Sequence, residues 1–176
     1  LVAGVAVACA LERFGVVGLQ LKWPNDVLVN GEKLVGILVE LSTGRARGLA
    51  AVIGIGINLR LPPDVRIDNQ AGVTDLARAI DGELPSRPAL LAALLTELER
   101  LFTTYASGGF PALKGAWEQR NAFAELPVRI SGDDAALEGI CAGVDDDGAL
   151  LLRTATGIQR ILAGDVSLRP LGGTTP

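Results

Sequence analysis

Histidine and methionine are absent from this sequence of 176 residues, and cysteine occurs only twice, as Cys9 and Cys141. Because there is no imidazole, the chain cannot build a Ser-His or Cys-His catalytic pair, and two distant cysteines do not supply the ligands of a zinc site. We interpret both cysteines as unpaired thiols of a protein from a reducing compartment, and we expect the cytoplasm as its location. The reactive groups must therefore be sought among lysine, carboxylate and amide side chains.

Long apolar runs and an excess of positive charge are missing as well. The stretch of residues 1–14 is too short to cross a bilayer, contains Glu12 and Arg13, and lacks the basic leader and cleavage site of a signal peptide. We interpret it as a core helix and, because the sequence opens inside it without a methionine, we expect the chain to be part of a larger protein. The net charge of −4 argues against a nucleic-acid surface, so neither membrane nor DNA binding is expected.

Hydrophobic residues make up 49% of the sequence, which is enough for one large domain or for one domain with a small appendage. The first domain is predicted to comprise residues 1–124. Its predicted strands are residues 27–29, 33–41 and 49–58, and its predicted helices are residues 1–14, 74–80, 89–105 and 111–122. Thr74 and Ser86 are predicted to cap the second and third of these helices.

The pattern changes beyond residue 126 to short β-prone runs separated by turn residues. The predicted strands are residues 128–130, 137–144, 149–154, 158–162 and 166–169, a spacing that is typical of a small barrel. A unit of residues 125–171 would be marginally stable alone, so we expect it to pack on the first domain, and residues 172–176 are predicted to be a disordered tail. The acidic run at residues 145–148 lacks the ligand pattern of a calcium loop, which favours a hairpin turn.

The most informative segment is residues 21–40, LKWPNDVLVNGEKLVGILVE. The dipeptide Asn30-Gly31 is typical of a type I′ turn, which predicts an antiparallel hairpin with Asp26 and Lys33 on neighbouring strands. A proline at position 24 interrupts the hydrogen-bond ladder, so Asn25 and Asp26 are expected at a bulge or strand end, where side chains are often redirected toward a site. Two lysines, a carboxylate and an amide around one hairpin indicate an anion-binding site.

The KWPND segment, the KLVGILVE segment that follows it and the later GIGIN at residues 54–58 together resemble the biotin protein ligases. The resemblance implies an α+β fold in which a mixed, largely antiparallel sheet with packed helices, truncated at its N-terminal side, precedes a small SH3-like β-barrel. It also implies an enzyme that uses ATP and Mg²⁺ to form biotinoyl-AMP. The acceptor of biotin would be a lysine of the biotin carboxyl carrier protein domain of acetyl-CoA carboxylase, and a homodimer is left open.

The resemblance assigns roles to individual residues of this site. Lys33 would be the catalytic residue, because its ammonium would contact both the α-phosphate of ATP and the biotin carboxylate. Biotin would be bound by Gly36 and Gly54 together with Lys33. ATP would be bound by Asn25 and Asn58 together with Lys33, and Asp26 would bind the metal ion. Family members also carry a glycine- and arginine-rich loop that encloses biotin, and the residues before Leu21 leave no room for it.

Each assignment has a plainer alternative. A lysine on a strand edge favours solubility, Asp26 suits ordinary turn hydrogen bonding, and Asn58 can simply end a strand. Lys22 and Trp23 are both interpreted as structural. Two other functions stay open: a lipoate- or octanoate-type acyl ligase, and a non-catalytic fragment with a binding or interaction role.

Three further features depend on segments outside this hairpin. The basic run at residues 45–47 is interpreted as solvated charge. The residues after Asn69 and Gln70 offer no aromatic lid for adenine. Asp165 and Arg169 are predicted either to link the barrel to the catalytic face or to form an ordinary exposed pair.

Overall fold

The computed structural model describes residues 1–44, 48–62, 72–131, 136–164 and 167–171. Four helices and nine strands lie in these ranges. In chain order they are α1 (Val2–Glu12), β1 (Leu19–Lys22), β2 (Asp26–Val29), β3 (Glu32–Gly44), β4 (Gly48–Ile57), α2 (Leu76–Ala79), α3 (Arg87–Gly108), α4 (Pro111–Glu118), β5 (Pro127–Ser131), β6 (Leu137–Val144), β7 (Leu150–Thr154), β8 (Gly157–Ile161) and β9 (Ser167–Pro170). The α+β class predicted from the sequence is confirmed.

The first sheet has the strand order β1-β2-β3-β4, and every neighbouring pair is antiparallel. The predicted strands do not include β1, which is only four residues long and alternates buried with half-buried positions. Helix α1 packs on this sheet and against α3, and its side chains are so small and apolar that nine of its eleven residues are buried. The apolar opening of the sequence is therefore a core helix, as its composition predicts.

The helix caps confirm one prediction and correct another. Ser86 caps α3, with its side-chain oxygen accepting a hydrogen bond from the backbone N–H of Ala89 at 3.3 Å. Helix α2 is capped by Asp75 and not by Thr74, because the Asp75 carboxylate accepts from the backbone N–H of Arg78 at 3.0 Å. Asp75 also accepts from the N–H of Leu61 at 2.8 Å, so it fastens the end of the β4 segment to the start of α2.

The second sheet has the strand order β8-β7-β6-β5-β9 and is antiparallel throughout. The acidic run between β6 and β7 forms the predicted turn: the Asp145 carboxylate accepts from the backbone N–H groups of Asp147 and Ala149, each at 2.9 Å. A hydrogen bond from Arg160 lowers the pKa of Asp145 below its ordinary value. Strands β8 and β9 are the two ends of this sheet, so closure into an SH3-like barrel stays a prediction, as do the domain boundaries.

The two sheets are connected through the KWPND segment. Trp23 is fully buried, and its indole N–H donates to the backbone carbonyl of Gly148 at 3.2 Å, in the turn between β6 and β7. This bond ties the strand that follows Trp23 to the C-terminal sheet. Cys9 and Cys141 are both free thiols, as expected, and burial raises the pKa of the Cys9 thiol.

Candidate active site

The hairpin between β2 and β3 has the predicted type I′ turn. Asn30 has φ = 49° and Gly31 has φ = 81°, so both turn residues take the left-handed conformation that this turn requires. The backbone N–H of Gly31 is further satisfied by the side-chain oxygen of Gln20 on β1, at 3.2 Å. The turn fixes Val29 opposite Glu32 at the start of the ladder.

A β-bulge in this hairpin decides which face Lys33 occupies. Leu28 pairs with Lys33, but Asp26 pairs with Gly36, so Leu34 is the extra residue of β3. Side chains alternate along a strand, and a regular ladder would have placed Lys33 and Gly36 on opposite faces. The bulge restores them to one face, together with Asp26. The sequence predicts a bulge beside Asp26, and the structure places it on the opposite strand.

Lys22, Asp26 and Lys33 form one charged cluster on this face. The Lys33 ammonium lies 2.6 Å from Oδ1 of Asp26, and the Lys22 ammonium lies 3.2 Å from Oδ2 of the same carboxylate. The exposed fractions of the side chains are 22% for Lys22, 30% for Lys33 and 12% for Asp26. The carboxylate is thus largely covered while both lysine side chains remain partly exposed, and the cluster carries one net positive charge.

Three glycines leave the face of the sheet beside this cluster without side chains. Gly36 pairs with Gly56, and Leu38 pairs with Gly54, so the three glycines lie on the same face as Asp26. A Cβ atom added at Gly36 would lie 3.3 Å from Cε and 3.4 Å from Nζ of Lys33, which shows that the lysine side chain folds over this glycine. At Gly54 and Gly56 the nearest atoms would be at 3.8 and 3.7 Å, so the packing of the described chain does not itself require glycine there.

Asn25 is fastened to the middle of β3. Its side-chain amide donates to the backbone carbonyl of Ile37 at 2.6 Å, and the N–H of Ile37 donates back to the backbone carbonyl of Asn25 at 2.9 Å. Asn25 precedes Asp26 directly, so these bonds hold the carboxylate in register with β3. The family resemblance assigns Asn25 to ATP, and the sequence does not predict this contact with β3.

Asn58 lies just beyond β4 and supports the backbone of Lys33. Its amide nitrogen donates to the carbonyl of Thr74 at 3.1 Å and to that of Lys33 at 3.5 Å. The N–H of Lys33 donates to the carbonyl of Gly72 at 2.8 Å, and the N–H of Thr74 donates to the carbonyl of Lys33 at 3.0 Å. The donor groups of Asn58 are therefore used within the protein, and its side-chain oxygen is the atom it can offer to a ligand.

A magnesium ion does not fit Asp26 in this arrangement. Within the described ranges no three Cys, Asp or Glu side chains cluster as metal ligands. Each of the Asp26 oxygens already contacts an ammonium group, and a divalent cation placed there would face two like charges at close range. The assignment of Asp26 to a metal stays a prediction, and no chemical step is assigned to it.

An apolar groove lies on the other side of the sheet, between β4 and α3. Its lining includes Ile55, Ile57 and Leu90. Because Ile55 and Ile57 alternate with Gly54 and Gly56, this groove faces away from the charged cluster. None of the described helices combines the length and the hydropathy needed to span a membrane. The basic run at 45–47, Asn69, Gln70 and Asp165 lie outside the described residues, as does the predicted tail at 172–176.

Comparison with known families agrees with this geometry. The profile of the Biotin/lipoate A/B protein ligase family matches residues 2–58, which contain the whole charged cluster, and that of the Biotin protein ligase C terminal domain matches residues 127–169. This chain belongs to the biotin protein ligase family. The first match covers α1 and the first sheet, and the second covers the C-terminal sheet.

Individual relatives extend the likeness over nearly the whole chain. The bifunctional ligase/repressor BirA of Bacillus subtilis is 33% identical over 168 residues, covering 96% of this chain and 52% of the relative. The biotin–[acetyl-CoA-carboxylase] ligase of Paracoccus denitrificans is 38% identical over 156 residues, covering 84% of this chain and 62% of the relative. The chain thus spans 52% and 62% of the length of these two relatives.

A solved structure shares the fold closely. The biotin protein ligase of Aquifex aeolicus, determined in complex with biotin and ATP, superposes with a TM-score of 0.82 at 29% identity, covering 97% of this chain and 70% of that structure. The sequence predicts that Asp26 and Lys33 lie on neighbouring strands, and the structure brings them together beside Gly36. The contact of Lys22 with Asp26 is not predicted from the sequence, where its only signal is that Lys22 lies four residues before Asp26.

Proposed function

We propose that the protein is an ATP-dependent biotin ligase that activates biotin as biotinoyl-AMP and transfers it to a lysine of a biotin carboxyl carrier domain. The observation that carries the proposal is the Lys33 ammonium, held by Asp26 at 2.6 Å beside the glycine face of the sheet. The relatives support it, since the Paracoccus protein is named for biotin ligation and the Aquifex enzyme was solved with biotin and ATP.

The first step joins two anions. A carboxylate oxygen of biotin attacks the α-phosphorus of ATP, a new P–O bond forms, and the bond to the bridging oxygen breaks so that pyrophosphate leaves with the electron pair. Negative charge grows on the α-phosphate oxygens during this step. The proposed task of Lys33 is to stabilise that charge with its N–H groups, in a place where the protein already fixes the ammonium.

The second step is acyl transfer. The neutral amine of the carrier lysine attacks the acyl carbon of biotinoyl-AMP, the C–O bond to AMP breaks, and the nitrogen loses a proton. AMP is a far better leaving group than the oxide that the free carboxylate would have to expel. The first step therefore makes the second one feasible.

The remaining predicted residues have roles that their positions support. Gly36 and Gly54 have no side chains, so biotin can lie close to the backbone of the sheet there. The side-chain oxygen of Asn58 can accept a hydrogen bond from the adenine amine. The Asn25 amide already donates to Ile37, so its proposed role toward ATP is to hold the neighbouring Asp26 in place. ATP enters with its own Mg²⁺ as the substrate complex, and the charge around Asp26 argues against a magnesium ligand at that residue.

Four broader proposals accompany the activity. The chain forms two domains that divide near residue 125, and the second closes as an SH3-like barrel. The enzyme acts in the cytoplasm. It forms a homodimer, for which the open edge of β4 offers backbone hydrogen-bonding groups.

The proposal is tested by biotin-dependent exchange of labelled pyrophosphate into ATP, followed by mass spectrometry of a carrier domain incubated with the protein. We expect exchange that requires biotin, and a mass increase of one biotinoyl group that disappears when the acceptor lysine of the carrier is replaced by arginine. Exchange supported by lipoate or octanoate in place of biotin would favour the other acyl ligase. If the protein catalyses neither exchange nor transfer, the non-catalytic interpretation remains.

A further inference from the structure

Asp26 holds two ammonium groups that come from its two neighbouring strands. Lys22 ends β1 and pairs directly with Asp26 in the ladder, while Lys33 reaches Asp26 from β3 because of the bulge. Each carboxylate oxygen accepts one of the two contacts, at 3.2 and 2.6 Å. Each ammonium group has three N–H donors, so both lysines keep donors for another anion.

The composition of the chain makes this convergence specific. Among its 16 basic residues only three are lysines, and the other thirteen are arginines. Two of the three lysines contact the same carboxylate, and the third, Lys114 on α4, pairs with Asp146 at 3.1 Å. A lysine ammonium is a compact point charge with freely rotating donors, so it can move between a carboxylate and a phosphate more easily than the rigid fork of arginine.

We propose that Lys22 is a second phosphate-binding residue of the active site, and that Asp26 is a positioning residue that gathers the Lys22 and Lys33 ammonium groups instead of ligating magnesium. This inference rests on the proposed function, because ATP is the anion that the cluster would bind. Lys33 serves the α-phosphate, where the reaction occurs, and Lys22 serves the phosphates that leave as pyrophosphate. The cluster has one net positive charge before ATP binds, which suits an anion and disfavours a metal ion.

The Lys22 part is tested by the KM for ATP in the exchange reaction. We expect Lys22→Ala to raise this KM by about tenfold while kcat changes by less, because a charge-assisted contact to bound ATP is lost. Lys22→Arg should recover part of the loss, since it restores the charge. Lys114→Ala is the matched control, because it removes a lysine from a similar carboxylate pair, and it should change neither constant. An unchanged KM in Lys22→Ala would overturn the assignment.

The Asp26 part is tested by magnesium titration of Asp26→Asn at saturating ATP and biotin. We expect kcat to fall by about tenfold, since a neutral amide cannot gather two ammonium groups, while the magnesium concentration for half-maximal rate stays as in the wild type. Asp26→Glu should keep more of the rate because it retains the charge. A raised magnesium requirement in Asp26→Asn would identify Asp26 as a metal ligand and overturn the positioning role.

A binding measurement separates this inference from the proposed function. Calorimetry with magnesium-free ATP should show weaker binding for Lys22→Ala than for the wild type and for Lys114→Ala, whether or not the protein turns over. Lys22→Gln, which keeps most of the side-chain stem, replaces Lys22→Ala if circular dichroism shows misfolding. Equal ATP affinities, or no ATP binding by the wild type, would overturn the inference. A loss of affinity without any biotin-dependent exchange would sustain it and count against the ligase activity alone.

Discussion

Asn25 and Ile37 exchange two hydrogen bonds, one from the Asn25 side-chain amide to the Ile37 carbonyl at 2.6 Å and one from the Ile37 N–H to the Asn25 carbonyl at 2.9 Å. The segment that precedes β2 is thereby fixed to the part of β3 that follows the bulge. Asp26 comes directly after Asn25, and Lys33 lies on β3 before the bulge. The distance between these two charged groups thus depends on Asn25.

We expect Asn25→Ala to lower the free energy of unfolding by about 1 kcal/mol, the usual net value of one hydrogen bond, and to lower the adenylation rate as well. Chemical denaturation and pyrophosphate exchange measure the two effects. Gln20→Ala is the control, because Gln20 also bonds a backbone group of the hairpin, at 3.2 Å, but away from the cluster. It should cost similar stability and leave the rate unchanged. Equal rate losses in both variants would show that Asn25 acts only through stability.

Lys33→Ala should reduce the adenylation rate by about two to three powers of ten, as does the loss of one oxyanion donor in other enzymes. The side chain is partly exposed, and Asp26 keeps its contact with Lys22, so the fold should persist. Single-turnover formation of biotinoyl-AMP measures the effect, with the thermal midpoint as the folding check. Normal adenylation in a folded variant would return Lys33 to the plainer role of a solubilising lysine.

Gly36→Ala should slow adenylation by about tenfold without unfolding the protein. The added methyl group would lie 3.4 Å from the Lys33 ammonium nitrogen, which must then move away from its place over the strand, and small displacements of a catalytic group are costly. Gly56→Ala is the matched control for the ammonium, because its nearest neighbour is the Gly36 carbonyl at 3.7 Å. Gly56→Ala should leave the affinity for magnesium-free ATP unchanged. Identical effects of the two substitutions on ATP binding would contradict a role of Gly36 in placing Lys33.

Much of this hairpin could be predicted from the sequence because its turn is encoded locally. Asn30 and Gly31 specify a type I′ turn, and the structure has it. The bulge at Leu34 could not be predicted, because it depends on the pairing of β3 with β2 and on the exchange between Asn25 and Ile37. A one-residue shift reverses the face of a side chain, so the neighbourhood of Lys33 had to come from the structure.

The capping residue of α2 also could not be predicted from the local sequence. Thr74 and Asp75 are adjacent and both can cap a helix, so local propensity does not separate them. Asp75 is selected because its carboxylate also accepts from the N–H of Leu61, which lies 14 residues earlier in the sequence. The contact of Lys22 with Asp26 could not be predicted either, since a lysine at the end of a short strand is usually solvated. Its partner becomes evident only when β1 and β2 are paired.

The last prediction concerns the open edge of the first sheet. Among the described residues β4 has a hydrogen-bonded neighbour on one side only, and Val52 on this strand is 59% exposed beside the equally exposed Leu38. Unpaired backbone groups next to exposed apolar side chains favour association with another chain.

We expect the 176-residue chain to self-associate as its concentration rises, and Val52→Lys to shift the equilibrium toward the monomer because a charge at the edge opposes strand pairing. Sedimentation velocity over a concentration series measures the shift. Leu95→Lys, which charges an equally exposed apolar position on α3, is the control and should change the sedimentation little. If both variants dissociate the chain equally, general surface hydrophobicity drives association; if neither does, the edge of β4 is not the contact.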